Sequence, residues 1–146
     1  MHSITLRFLA QQSTLPVSGR IHGGTVLRWV DEAGFACATA WARGACVTAL
    51  VGSANFEQPI HLGDLVEVQA QLAYTGQSSM NLIVEVRRHP VTGSEPVRVT
   101  RCVAVYTAVD EQGQPRAIDR WSPETPGDIA LAQRVRAHIE AARAAL

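Results

Sequence analysis

The chain has 146 residues, a mass of 15.8 kDa and a formal net charge of zero, with 47% apolar and 18% charged residues. That is the size and balance of one globular domain. It excludes intrinsic disorder, which needs low hydrophobicity and high net charge, and a pI near 7.0 argues against a nucleic-acid partner held by a basic face.

In chain order, residues 3–10 predict a short strand, and 11–19, with Pro16 and Gly19, a loop. Residues 23–43 carry Gly-Gly at their start, Gly44 after their end and no Pro, which predicts a helix. Gly34 inside it costs about 1 kcal/mol against Ala. The second half, AGFACATAWA, is apolar nearly all round, so this helix is expected to be buried. The period then changes from helical to two. Strands are predicted over 46–56, 64–74, 80–88 and 97–109, with turns at 59–64, 75–79, 89–96 and 110–115. Val66, Val68, Ala70, Leu72 and Tyr74 share one face, as do Met80, Leu82, Val84 and Val86. Residues 127–145 predict an amphipathic helix, with Ile129, Leu131, Ala132, Val135, Ile139 and Ala142 inside and Arg134, Arg136 and Arg143 outside. Four consecutive hairpin-connected strands make an antiparallel sheet that can wrap one apolar helix, an α+β arrangement.

Cys37, Cys46 and Cys102 form an odd set without a CxxC pair. Reduced thiols in a cytoplasmic setting fit better than disulfides or a structural metal, and no metal ligand set is expected. The start, MHSITLRFLA, lacks a charged region followed by an apolar run, so no signal peptide is expected. No uncharged apolar stretch reaches about 18 residues, so no membrane partner is expected. All 13 cations are Arg, so every cationic contact is a planar, permanently charged fork.

The chemically odd residue is Asp31, two turns into the helix and just before its most apolar part. Asp is a poor mid-helix residue and is rarely buried without a partner. A carboxylate in a dry pocket can act as a general base. The spacing equally allows a plain surface role, paired with Arg28 on a stripe shared with Glu32. The second signal is IHGG (21–24). A helix start carries free N–H groups, and glycines at Gly23 and Gly24 let a substrate carbonyl approach them; a tight turn into a packed helix needs the same residues. His22, Asn55, Ser78 and Ser79 are candidate substrate contacts that turns and packing could also employ. Arg20, Arg88 and Arg101 are candidate phosphate contacts. Trp29, Phe35 and Trp41 line either a tunnel or the core. No GxSxG serine, HExxH or Walker loop is present.

The run GRIHGGTVLRWVDEAGFACA (19–38) resembles the first helix of the hotdog-fold acyl-CoA thioesterases, nearest the YciA-like and brain-type cytosolic group. SANFEQPIHLGDLVEVQAQLAYTGQSSMNLIVEV (53–86) and AVYTAVDEQGQPRAI (104–118) extend the resemblance over most of residues 19–118. It implies a hotdog fold over residues 1–125, an antiparallel sheet wrapped around a long central helix, with 126–146 as a C-terminal helical extension. It also implies a homodimer joined sheet edge to sheet edge, assembled into a hexamer as a trimer of dimers. In such dimers the helix-start amides of one subunit, here Gly23 and Gly24, face the acidic residue of its neighbour, here Asp31. The implied reaction is hydrolysis of acyl-CoA to a free acid and CoA without a cofactor, with Asp31 as general base or nucleophile. Relatives often carry Asn or Asp just before the HGG, where this chain has Arg20. An enoyl-CoA hydratase and a non-catalytic acyl-CoA binder are the competing expectations. A hydratase needs an Asp/His pair, and no His stands at helical spacing from Asp31.

Overall fold

The computed structural model describes residues 2–11 and 19–146; the predicted loop containing Pro16 falls mostly on 12–18, outside them. Strand β1 (Ser3–Leu9) leads to helix α1 (Gly23–Ala42), then to β2 (Cys46–Gly52), β3 (Leu65–Thr75), β4 (Ser79–His89), β5 (Val97–Ala108) and helix α2 (Pro126–Ala144). The five strands form one antiparallel sheet in the order β1-β3-β4-β5-β2. The strands β3, β4 and β5 are the predicted hairpin meander. The strand β2 is not part of it: it pairs with β5 at the far edge, and residues 53–64 carry the chain across to β3. The strand predicted over 46–56 stops at Gly52, because Ser53 adopts a left-handed φ of 63° and breaks the extended run.

Helix α1 lies against the inner face of the sheet. Val30, Ala33, Cys37 and Ala38 pack there on Val66, Val68, Ala70, Leu72, Met80, Leu82, Val84 and Val86, the alternating positions legible in β3 and β4. At the far end of β3 the alternation fails. A register shift between Leu72 and Tyr74 puts Ala73 and Tyr74 together on the outer face, so Tyr74 leaves the predicted inner set. There α2 packs through Val135 and Ile139 on Ala73, Val103 and Val105. Arg136 is exposed, as the pattern predicts, and its guanidinium lies over the Tyr74 ring, 4.1 Å from its centroid. Ile129, predicted inside, is exposed, because α2 touches the sheet only from Leu131 onward.

Both ends of α1 are capped by side chains. His22 is the N-cap, its Nδ1 accepting the Gly24 N–H at 2.9 Å. At the other end Arg43 turns left-handed (φ 54°) and Arg116 donates from Nη2 to the Ala42 carbonyl at 2.9 Å. Arg116 is aimed there by the 110–114 turn, where Asp110 Oδ1 accepts N–H groups from both Gln112 and Gln114. Trp41, a tunnel candidate, is spent on this segment, donating Nε1–H to the Asp119 carbonyl; Trp29 packs edge-on to Phe8 in the core.

The helix is less enclosed than its composition predicts. Leu27 and Phe35 are 37% and 40% exposed, and Val47 and Val51 on the unpaired edge of β2 are 48% and 38% exposed. The sheet covers one side of α1 only, which leaves an apolar margin along the β2 edge.

Candidate active site

Asp31 is half-buried on the inner side of α1. It does not pair with Arg28; that guanidinium pairs with Glu32, 3.7 Å away on the exposed stripe. Two hydroxyls from the sheet converge on Asp31 instead. Thr48 Oγ1 donates to Oδ1 at 3.0 Å, and Tyr106 Oη donates to the same oxygen at 3.0 Å. Their convergence follows from register, since Thr48 of β2 and Tyr106 of β5 stand directly opposite each other. Among the described residues no donor reaches Oδ2.

Tyr106 is fully buried. Burial first, then the Asp31 charge and its hydrogen bond, push the phenol well above its ordinary value, so it stays a proton donor to Asp31. Its ring lies against Gly34, where a Cβ would meet Oη in overlap and the ring carbons Cε2 and Cζ at 2.9 Å. Gly34 is therefore the slot that admits the phenol. Neither Tyr106 nor Thr48 was singled out in the sequence. Tyr106 had a legible signal: it follows Cys102 and Ala104 on the inner alternation of β5, and a hydroxyl on such a face must find a partner.

The helix start offers one open amide rather than two. The Gly24 N–H is taken by His22 Nδ1, which corrects the expectation of a paired Gly23/Gly24 donor and makes His22 a cap. Among the described residues the Gly23 N–H has no acceptor. It borders an apolar groove of about 270 Å³ walled by Ile21, Val26, Phe56, Pro59, Ile60 and Val99, with the Phe56 ring 3.7 Å from where a Gly23 Cβ would stand. Gly23 and Asp31 are eight residues apart on one helix, about 12 Å at 1.5 Å per residue. One chain cannot bring the carboxylate to the amide.

The other candidates divide between two sides. Residues 53–58 form a strap, tied to β5 by the Glu57 N–H on the Val99 carbonyl. Phe56 and Gln58 face the Gly23 groove, while Asn55 and Glu57 face a second cavity of about 210 Å³ with Arg101, Arg134 and His138. Asn55 and Arg101 thus line one cavity on the outer face, away from Asp31, and Arg134, exposed as predicted, borders it. Arg101 also lies 3.8 Å from Glu85. Arg88 is no surface phosphate contact: its largely buried guanidinium stands 3.8 Å from the buried Asp64 carboxylate. Arg20 is exposed, and its backbone pairs with that of His61 in an isolated antiparallel bridge. Ser78 and Ser79 build the β3–β4 turn; the Ser78 carbonyl accepts the Ala108 N–H and the Ser79 hydroxyl accepts from Asn81. Among the described residues no cluster of His, Cys, Asp or Glu is arranged to hold a metal, and no helix is long and apolar enough to cross a membrane.

Comparison with known proteins gives the same picture of the fold. Residues 18–94 match the family described as Thioesterase superfamily. An uncharacterized acyl-CoA thioester hydrolase of Haemophilus influenzae is 40% identical over 80% of this chain and 78% of its own. The acyl-CoA thioester hydrolase YciA of Escherichia coli is 33% identical over 79% of this chain and 89% of its own. Among solved structures, an apo-hexameric acyl-CoA thioesterase superposes with a TM-score of 0.89 at 29% identity, covering 99% of this chain and 94% of that one. A hexameric broad specificity acyl-coenzyme A thioesterase superposes at 0.73 with 35% identity, covering 88% and 87%.

Proposed function

Because this chain belongs to the thioesterase superfamily, we propose that it hydrolyses acyl-CoA thioesters to a free acid and CoA, at sites that two copies of the chain build together. The observation that carries the proposal is the separation on α1. A carboxylate clasped by two hydroxyls and an open helix-start amide are the two halves of a hydrolytic centre, yet they stand about 12 Å apart in one chain. A second copy joined along the exposed β2 edge supplies the missing half, and covers Val47, Val51, Leu27 and Phe35 in doing so. The hexameric neighbours support a hexamer, which in this reading is three such dimers.

In this reading the thioester carbonyl lies at Gly23 of one copy and water lies at Asp31 of the other. Asp31 takes a proton from the water as its oxygen adds to the carbonyl carbon. The Gly23 N–H stabilises the resulting oxyanion, a contribution typically worth about 10²–10³ in rate. Collapse of the intermediate breaks the C–S bond. The leaving thiolate takes the proton back from Asp31, which gives the free acid and the CoA thiol. Direct attack by the carboxylate, through a mixed anhydride that water then opens, uses the same atoms. Neither route requires a cofactor. The groove beside Phe56 leads to the amide, and the outer cavity with Asn55 and Arg101, together with exposed Arg20, is our candidate surface for the CoA phosphates. Three free, buried thiols fit a cytoplasmic enzyme.

Thiol release across short, medium, long and aromatic acyl-CoAs tests the reaction. The wild-type protein is expected to turn over at least one class, and D31N to lose at least about 10²-fold in kcat/KM. A wild type inert to the whole panel would overturn the reaction; D31N with wild-type turnover would overturn the role of Asp31.

A further inference from the structure

Both sheet hydroxyls at the candidate site donate to a single oxygen of Asp31, Oδ1, and leave Oδ2 without a donor among the described residues. We propose that Tyr106 is a positioning residue which, with Thr48, anchors Oδ1 and so makes Oδ2 the oxygen that exchanges a proton with water. The assignment rests on the hydrolytic reading above and names the working atom within it.

The geometry makes the anchor rigid. Tyr106 stands on β5, hydrogen-bonded on one side to β4 and on the other to β2, where Met80 and Thr48 are its register partners. Its hydroxyl also lies 3.2 Å from the Asp31 carbonyl oxygen, so its one proton is shared between the side chain, which is nearer, and the helix backbone. The slot above Gly34 lets the ring approach so closely, and nothing larger than glycine would allow it. A carboxylate held at one oxygen keeps one rotamer, and the second oxygen then points in one direction. That is the form of constraint a general base needs, because a misplacement of about 1 Å can cost around 10²-fold in rate. The phenol stays protonated across the working range, so the donor does not switch off with pH.

The competing role for Tyr106 is packing alone, with its hydroxyl merely satisfied by the Asp31 carbonyl. A double-mutant cycle separates the two. Y106F removes one oxygen from a ring that otherwise fits its slot, so the fold and the oligomer are expected to persist. In acyl-CoA hydrolysis Y106F is expected to lower kcat about 10–100-fold while KM changes less than about twofold. In the D31N background, whose residual turnover comes from binding and the helix amide, adding Y106F is expected to cost less than about twofold. Y106F with kcat within twofold of wild type overturns the proposal. So does a loss in the D31N background equal to the loss in wild type, because packing would then act without Asp31. Either result leaves the hydrolytic reading intact, which fails instead if the wild-type protein releases no thiol.

Discussion

Replacing Gly34 by alanine sets two physical effects against each other with opposite signs. Alanine is the better helix residue by about 1 kcal/mol in a helix interior. On that count alone G34A stabilises the protein. The structure says otherwise. The new Cβ would overlap Tyr106 Oη and come within 2.9 Å of two ring carbons. The ring is fully buried on β5, which is held between β4 and β2. Overpacking of this kind costs about 1–3 kcal/mol, and a clash with a fixed ring belongs in the upper part of that range. The net expectation is a loss of about 1–2 kcal/mol, or roughly 2–8 °C in Tm for a chain of this length. Differential scanning calorimetry at neutral pH reads it. The displaced phenol also releases Asp31 Oδ1, so turnover falls in the same variant. A Tm equal to or above wild type would refute the slot, because helix propensity would then be the only effect at work.

The edge of β2 offers a second test. V51E puts a charge on the exposed margin of the strand; size-exclusion chromatography is expected to show a smaller species, and thiol release to fall with it. An unchanged oligomer would exclude this edge as the subunit seam. The thiols predict the alkaline limit of stability. Burial pushes Cys37 up to about 11 and Cys102 up to about 12 from an unfolded value of 9.0, so between those values the native state keeps protons that the unfolded state has released. Their contribution is whole below pH 9 and is lost as pH rises from 9 toward 12, and urea denaturation at pH 8, 10 and 11 should show the midpoint falling in that order. A midpoint that holds steady to pH 11 would contradict it.

The elements of this protein were legible where one physical signal dominated. Period-two alternation located β3 and β4, and paired glycines with an unbroken apolar run located α1. Asp31 was visible because it is chemically out of place where it stands. Its partners were not, since Thr48 and Tyr106 are 17 and 75 positions away and meet it only through the register of β2 on β5. The placement of β2 itself is hidden for a related reason. Residues 59–64, with Pro59 and Gly63, carry every mark of a hairpin turn, and nothing local says that the strand before them pairs with the last strand rather than the next. In the sequence Gly34 is only a cost to the helix, because the tyrosine that needs its empty space lies on another element. Gly24 and Arg88 look open for ligand in the sequence, and each is held by a residue of the protein's own fold, His22 and Asp64. Tyr74 departs from the face its alternation predicts because a single bulge lies between Leu72 and Tyr74.

The position of β2 beside β5 also shapes how the chain comes to exist. Synthesis proceeds from the N-terminus, so β2 leaves the ribosome well before the strand that will hold it. About 55 residues separate Gly52 from the end of β5, which at roughly 5–20 residues per second is on the order of 3–11 s of translation. Through that interval the nascent polypeptide carries a β-branched strand without its neighbour, and an apolar helix whose seat on β3 and β4 is still being made. Escape from aggregation during those seconds depends on factors outside the native contacts, and substitutions in β2 can reduce yield in the cell without altering the finished molecule.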